Sequence, residues 1–190
     1  RQAAAALNLP EPEIVITRYA GHARALTEQF ARDGVPAALY ACGGDGTLNE
    51  LVQGAAGHPQ IAVGCVPCGS GNDYVRNFGE EVRRAFLDMA EQLQAVPVSV
   101  DLLSTSLGLG IDICAAGLDA QVAYGIPKFR RLPGCGGTMA YTLSILQVLF
   151  SRFGHQLRVT VDGESHTGTY MMTAICNGRL YGGGYMAAPY

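Results

Sequence analysis

Two glycine-rich runs hold the residue types best suited to chemistry: Cys42-Gly43-Gly44-Asp45-Gly46-Thr47-Leu48-Asn49 and, about twenty residues on, Pro67-Cys68-Gly69-Ser70-Gly71-Asn72-Asp73. Glycines let a backbone approach a polyphosphate without Cβ clashes, and a helix starting behind such a loop offers free N–H groups and a partial positive charge. Thr47 and Ser70 add hydroxyls. Asp45 is repelled by phosphate unless a cation lies between them, so its place in an anion-binding loop points to Mg²⁺ or to a base near an acceptor hydroxyl. A tight turn with Asp45 as helix cap is the alternative. Neither run is G-x-G-x-x-G, and the first lacks the Gly-Lys-Ser/Thr ending of a P-loop. Asp73 and Asp101 are further acids that can face the same cleft, Asp101 serving otherwise as a strand-end cap.

The elements that must position these loops follow from apolar spacing. Ile14 to Thr17 reads as a strand, Gly21 to Arg32 as a helix ended by Gly34, and Val35 to Ala41 as a second strand entering the first loop. Leu48 to Ala56 reads as a helix capped by Thr47 or Asp45, and Ile61 to Val66 as a strand entering the second loop. Tyr74 to Phe78 and one longer helix from about Glu80 to Leu93 follow. Strands alternating with helices predict a mostly parallel sheet with ligands at the carboxyl ends of its strands.

After Pro97 the pattern changes to strand-like runs at Val98–Leu102, Ile111–Cys114, Leu157–Val161 and Tyr170–Cys176, with Asp162-Gly163 as a hairpin turn. One helical insert, Thr138 to Phe150, and glycine turns at 134–137 and 182–184 interrupt it. The expected organisation is α/β: a nucleotide-binding domain over 1–97 and a β-rich domain over 98–190. The chain ends, a helix tail at Arg1–Leu7 and Ala187–Tyr190 without a closing element, read as a piece of a longer enzyme.

Composition sets the limits. At 48% hydrophobic and 15% charged residues this chain folds. The longest apolar stretch, Met139 to Phe150, falls short of the ~20 residues that cross a bilayer. A net charge of −3 argues against a nucleic-acid partner, which needs a basic face. Six cysteines without secreted-type spacing suit a reducing compartment, and Cys65-Val-Pro-Cys68 has no second pair at zinc-ligand spacing, so small apolar packing is the expected role.

Gly43 to Glu50 followed by Pro67 to Asp73 resembles the catalytic domain of the diacylglycerol kinase and sphingosine kinase family, in its bacterial lipid-kinase branch. The resemblance continues in order through Thr17 with Gly21-His22-Ala23, Val100-Asp101-Leu102, Ala115 to Ala120 and Asn177 to Pro189. It implies a Rossmann-like N-terminal domain of the NAD kinase and phosphofructokinase type and an antiparallel β-sandwich domain, both incomplete here, with ATP and Mg²⁺ in the cleft.

By that pattern Thr17, Gly43 to Asn49 and Ser70 contact the nucleotide, and the second loop's Gly69, Gly71, Asn72 and Asp73 join them. Asp45, Asp73 and Asp101 resemble acids that organise magnesium and water, Asp73 and Asp101 being the metal candidates, directly or through water. Asp45 is the one catalytic candidate, and the general base is expected outside this chain. Ser70 stands where threonine is usual and Cys68 where leucine is usual.

The expected reaction is transfer of the ATP γ-phosphate to a lipid hydroxyl, with a kinase of a soluble substrate such as NAD, or a non-catalytic nucleotide-binding module, as alternatives. Expected partners are a lipid substrate and a transient membrane surface, with a homodimer left open. Ile126 with Lys128-Phe129-Arg130-Arg131 is either the membrane contact or a solvated loop. The implied location is cytoplasmic, peripheral at the inner membrane surface.

Overall fold

The structure is a computed structural model that describes residues 1–135, 138–150, 154–182 and 184–189. A short helix, α1 (Gln2–Ala6), precedes α2 (His22–Asp33), which Gly34 terminates in the left-handed conformation at φ 68°. Strand β1 (Ala37–Gly43), helix α3 (Asp45–Ala55) and strand β2 (Ile61–Pro67) form a β-α-β unit. The two strands pair in parallel from Ala37 opposite Ile61 to Gly43 opposite Pro67. Both glycine loops therefore leave the sheet at the same level.

Burial fixes this unit. Ala23 of α2, Ala41 of β1, Leu48, Leu51 and Val52 of α3, and Cys65 of β2 share one core with Val75 and Ile111. The apolar face of α3 recurs at helical spacing, as an amphipathic helix lying on a sheet requires. Helix α2 lacks a cap of its own. Glu50 of α3 supplies one, its carboxylate accepting from the N–H groups of Gly21 (2.8 Å) and Ala23 (3.1 Å) and so satisfying donors that a helix start leaves open.

Three short helices follow: α4 (Asp73–Arg76), α5 (Gly79–Ala85) and α6 (Met89–Gln94). The single helix expected over Glu80–Leu93 is two. Asp88 starts α6 by accepting from the N–H groups of Ala90 (2.8 Å) and Glu91 (3.3 Å), a capping bond that competes with helix continuation.

Two further expectations need correcting. Ile14–Thr17 and Val98–Leu102 are not strands; Ile16 and Val98 are each 80% exposed. β-Branched residues favour extension, but a strand exists only where its N–H and C=O groups find a ladder. A hairpin that the sequence reading overlooked, β3 (Leu103–Thr105) and β4 (Gly108–Gly110), lies just beyond the second segment.

The remainder comprises β5 (Ile113–Gly117), α7 (Leu118–Arg130), α8 (Thr138–Leu149), β6 (His155–Val161), β7 (Glu164–Tyr170), β8 (Met172–Cys176), β9 (Leu180–Tyr181) and β10 (Tyr185–Met186). Strands β6 and β7 are antiparallel around the expected turn, with Asp162 at φ 50° and Gly163 at φ 87°. Both central residues with positive φ match the twist of a two-residue hairpin. The glycine turns expected at 134–137 and 182–184 fall partly outside the described residues, at 136, 137 and 183.

Two helices, not one, interrupt the strands. Gly125 and Pro127 conceal α7 from a propensity reading, because both residues disfavour helix interiors. In the structure Gly125 faces Ser144 of α8, whose buried hydroxyl donates to the Val122 carbonyl at 2.6 Å. The Lys128–Arg131 segment is thus the end of a helix rather than a loop, its cations placed where the helix dipole favours them.

The chain divides into two compact units, Arg1–Ile113 with Cys176–Tyr190, and Cys114–Ile175. Among the described residues no helix is long and apolar enough to cross a membrane.

Candidate active site

The first glycine run is mostly helix. Gly44 is the N-cap of α3, so Asp45, Gly46 and Thr47 form its first turn and neither Asp45 nor Thr47 caps it by side chain. The Thr47 hydroxyl packs against Gly43 instead, 2.7 Å from where a Cβ on that glycine would lie. The second run crosses directly over the first. Cys68 N–H donates to the Gly43 carbonyl at 2.9 Å, and Gly44 and Gly69 meet backbone to backbone with no room for a Cβ on Gly69. Asn72, at φ 53°, braces this loop by accepting from Gly69 N–H (2.9 Å) and donating to Gly69 O (2.8 Å).

Two carboxylates converge here. A Cβ built on Gly71 would lie 3.0 Å from Asp45 Oδ2 and 3.1 Å from Asp73 Oδ2, so both acids close on the same point of the second loop. Asp45 Oδ1 also accepts from Tyr74 N–H at 3.3 Å. Like charges held together beside a helix N-terminus make an oxygen-donor set suited to a hard divalent cation. Among the described residues no group of three or more His, Cys, Asp or Glu is arranged to hold a metal, so the remaining ligands would be water and phosphate oxygens.

A third acid, Asp112, was not singled out from the sequence. It lines a cavity of about 410 Å³ with Tyr74, Asn77, Asp101, Asn177 and Arg179. Burial pushes its carboxyl up from 3.8 to about 6; a hydrogen bond from Asn77 opposes the rise, and the charges of Asp73 and Asp45 add to it. The usable signal was a lone acid inside the apolar run Ile111–Cys114.

Because the folded value lies above the unfolded one, Asp112 favours the native state at pH below about 4, and that contribution is lost as pH rises through about 6. Asp112→Asn removes the penalty on the ionised form while keeping an acceptor for Asn77. The variant is expected to melt above wild type at pH 7.5 and to converge with it near pH 4. The rise alone corresponds to about 3 kcal/mol, and solvent screening of a half-exposed group reduces this to about 1 kcal/mol, or roughly 2–4 °C. Melting curves from pH 4 to 8 check this, and a difference independent of pH defeats it.

The other sequence candidates lie as follows. Gly46 and Ser70 are exposed and Asn49 half-buried, while the Leu48 side chain is in the core, leaving only its backbone to a ligand. Thr17 lies in an exposed loop before α2. Asp101 is exposed at the mouth of the Asp112 cavity, and its carbonyl accepts from Asn177. Cys65 is buried and its thiol pushed up to about 12 by burial, then by Asp45 and Cys42, which disfavours a nucleophilic thiolate there.

Residues 1–105 match the diacylglycerol kinase catalytic domain, and residues 112–190 match the YegS C-terminal NAD kinase beta sandwich-like domain. The chain belongs to the diacylglycerol kinase catalytic-domain family, with the α/β fold that this implies.

A curated protein of Shewanella frigidimarina named "Probable lipid kinase YegS-like" is 31% identical over 152 residues, covering 77% of this chain and 48% of that protein. One of the same name from Chromohalobacter salexigens is 31% identical over 181 residues, covering 92% and 56%. The chain spans about half the length of these relatives. A solved structure described as a diacylglycerol kinase from Bacillus anthracis str. Sterne has a TM-score of 0.65 at 23% identity, over 95% of this chain and 57% of that one, a likeness of fold.

Proposed function

We propose that this chain is the nucleotide-binding part of an ATP-dependent lipid kinase, transferring the γ-phosphate of ATP to the hydroxyl of diacylglycerol or a related lipid. The observation that carries this reading is the convergence of Asp45 and Asp73 on Gly71, beside the N-terminus of α3 and the contact between the two glycine loops. The relatives named as lipid kinases support it.

Backbone N–H groups of Asp45 and Gly46 and of Ser70–Asn72 hold the phosphates, with Thr47 and Ser70 as hydroxyl donors. Asp45 and Asp73 would hold Mg²⁺, directly or through water, and Asp101 is a further candidate; the ion would neutralise charge on the phosphate oxygens. The lipid oxygen attacks the γ-phosphorus, the bond to the β,γ-bridging oxygen breaks, ADP leaves, and the hydroxyl proton passes to a base. Asp45 is the candidate for that base within this chain. Most of the acceleration comes from holding the reactants in line.

The test is phosphate transfer from labelled Mg·ATP by the full-length gene product to diacylglycerol, a sphingoid base, ceramide, phosphatidylglycerol and NAD. Label in a lipid supports the reading. Label in NAD alone overturns it in favour of a soluble-substrate kinase, the second reading, favoured by the NAD kinase-like description of residues 112–190. Label nowhere leaves a nucleotide-binding module.

A lipid substrate requires approach to a bilayer. Lys128, Arg130 and Arg131 are exposed at the end of α7, with exposed Tyr124 on the same helix and exposed Leu132 directly after it. Basic and apolar side chains together suit transient docking at an anionic membrane, which places the enzyme at the cytoplasmic face in this reading. Changing all three cations to alanine is expected to weaken binding to phosphatidylglycerol-containing vesicles by up to roughly 100-fold, at about 1 kcal/mol per basic residue. Equal sedimentation of variant and wild type with such vesicles ends the idea.

A further inference from the structure

Helix α4 carries Asp73 but is four residues long, too short to orient itself through its own hydrogen bonds. Its N-cap, Asn72, turns its side-chain amide back onto Gly69 and gives the helix only its carbonyl, which accepts from Arg76 N–H at 3.3 Å; Asp45 Oδ1 takes Tyr74 N–H at 3.3 Å and Arg76 Nε donates to Gly71 O at 2.8 Å, ties that stay within the two glycine loops. Ring contacts among Tyr74, Phe78 and Phe86 pack beside it, but such packing is weakly directional.

Asn77, the residue after α4, joins stretches of chain that are far apart in sequence. Its Nδ2 donates to Asp73 O and to Asp112 Oδ1, each at 3.0 Å. Its Oδ1 accepts from the backbone N–H groups of Arg179 (2.6 Å) and Leu180 (3.0 Å). Two donors and two lone pairs are all that an amide side chain has, and every one is engaged.

The opposite side of the contact is equally tied. Asp112 O accepts from Asn177 N–H (2.8 Å) and Gly178 N–H (3.0 Å), and Asn177 Nδ2 donates to the carbonyls of Asp101 (2.8 Å) and Ile111 (2.9 Å). Gly178 lies inside the knot: a Cβ there would collide with Asp112 Oδ1 and lie 2.7 Å from Asn77 Nδ2. Removing one member of such a network strands the partners of the rest.

We propose that Asn77 is a positioning residue of the nucleotide site, clasping the Asn177–Leu180 segment and Asp112 to the turn that presents Asp73. The clasp acts through backbone atoms of Asp73, Arg179 and Leu180 and through the Asp112 carboxylate, and it touches neither phosphate nor acceptor. Its effect on ATP rests on the kinase reading above; its existence does not.

The full-length protein is compared with Asn77→Asp, Asp112→Asn, the double variant and Gly178→Ala. Asn77→Asp keeps the acceptor for Arg179 and Leu180 but turns the donor into a carboxylate facing Asp112. In the double variant amide and carboxylate change places and the bond between them re-forms with its direction reversed, while the bond to Asp73 O, which needs a donor at position 77, stays lost. The readouts are amide hydrogen exchange at Arg179 and Leu180, and Mg·ATP affinity by calorimetry.

Asn77→Asp and Gly178→Ala are expected to expose those amides and weaken Mg·ATP binding about tenfold; the double variant is expected to regain amide protection and part of the affinity, remaining about threefold below wild type for want of the Asp73 O bond. A double variant as impaired as Asn77→Asp overturns the proposal, as does an Asn77→Asp protein with exposed amides and unchanged affinity. Wild-type protein that binds no Mg·ATP overturns the kinase reading and the positioning role together, and protected amides in that protein identify this case.

Discussion

An Asp45→Asn variant is expected to lose phosphate transfer by about 10²- to 10³-fold in kcat, the scale of removing one well-placed electrostatic group. Its fold should survive, because the hydrogen bond this carboxylate accepts from Tyr74 N–H, at 3.3 Å, is one that an asparagine oxygen can also accept. What disappears is the negative charge that shares the Gly71 corner with Asp73. Transfer rates measured against Mg²⁺ concentration separate the two consequences: a positioned cation predicts a higher Mg²⁺ requirement as well as a lower kcat, at a nearly constant melting temperature. A kcat within threefold of wild type would remove Asp45 from the mechanism, and with it the observation on which the functional reading stands.

Gly69→Ala is expected to unfold the site from the opposite direction, through packing. A Cβ at this position would overlap Gly44 Cα and lie 2.8 Å from Asn72 Oδ1 and 3.1 Å from Gly44 N. Neither loop can retreat easily, since Cys68 N–H is bonded to Gly43 O and the β1–β2 register holds both strands up to Gly43 and Pro67. Overpacking of this kind costs about 1–3 kcal/mol. Nucleotide binding should fall with it, because the two loops can no longer meet. Gly46→Ala is the control: nothing lies within 4 Å of its Cβ, and an exposed helical position gains up to about 1 kcal/mol from the exchange. Chemical denaturation of both variants decides the matter, and equal stability would mean that the Gly44–Gly69 contact yields without cost.

Legibility differed by element for identifiable reasons. Helix α2, the β1-α3-β2 unit, the β6–β7 hairpin and α8 follow from local pattern, since each has a periodic apolar face or a dedicated turn pair. Ile14–Thr17 and Val98–Leu102 have the same local pattern and are not strands, because pairing is a property of neighbours. Helix α7 hides behind Gly125 and Pro127, residues that helix–helix packing tolerates and local propensity does not. The break between α5 and α6 was readable in principle, as Asp88 is a good N-cap residue, but an uninterrupted amphipathic pattern outweighed it.

The sequence alone determined the chemistry on offer: two glycine runs at strand ends, hydroxyls at Thr47 and Ser70, and the acids Asp45, Asp73 and Asp101, because glycine spacing and charged residue types are properties of composition and order. Tertiary structure alone decided which of these meet. It brings Asp45 and Asp73 to one corner at Gly71, adds Asp112 from a strand-like run, and makes Asn77 the junction with a segment 102 residues away. No local signal encodes such meetings. They follow from the parallel register of β1 and β2 and from one shared core around Leu48, Val75 and Ile111, where burial of side chains far apart in sequence fixes which backbone groups must bond to one another.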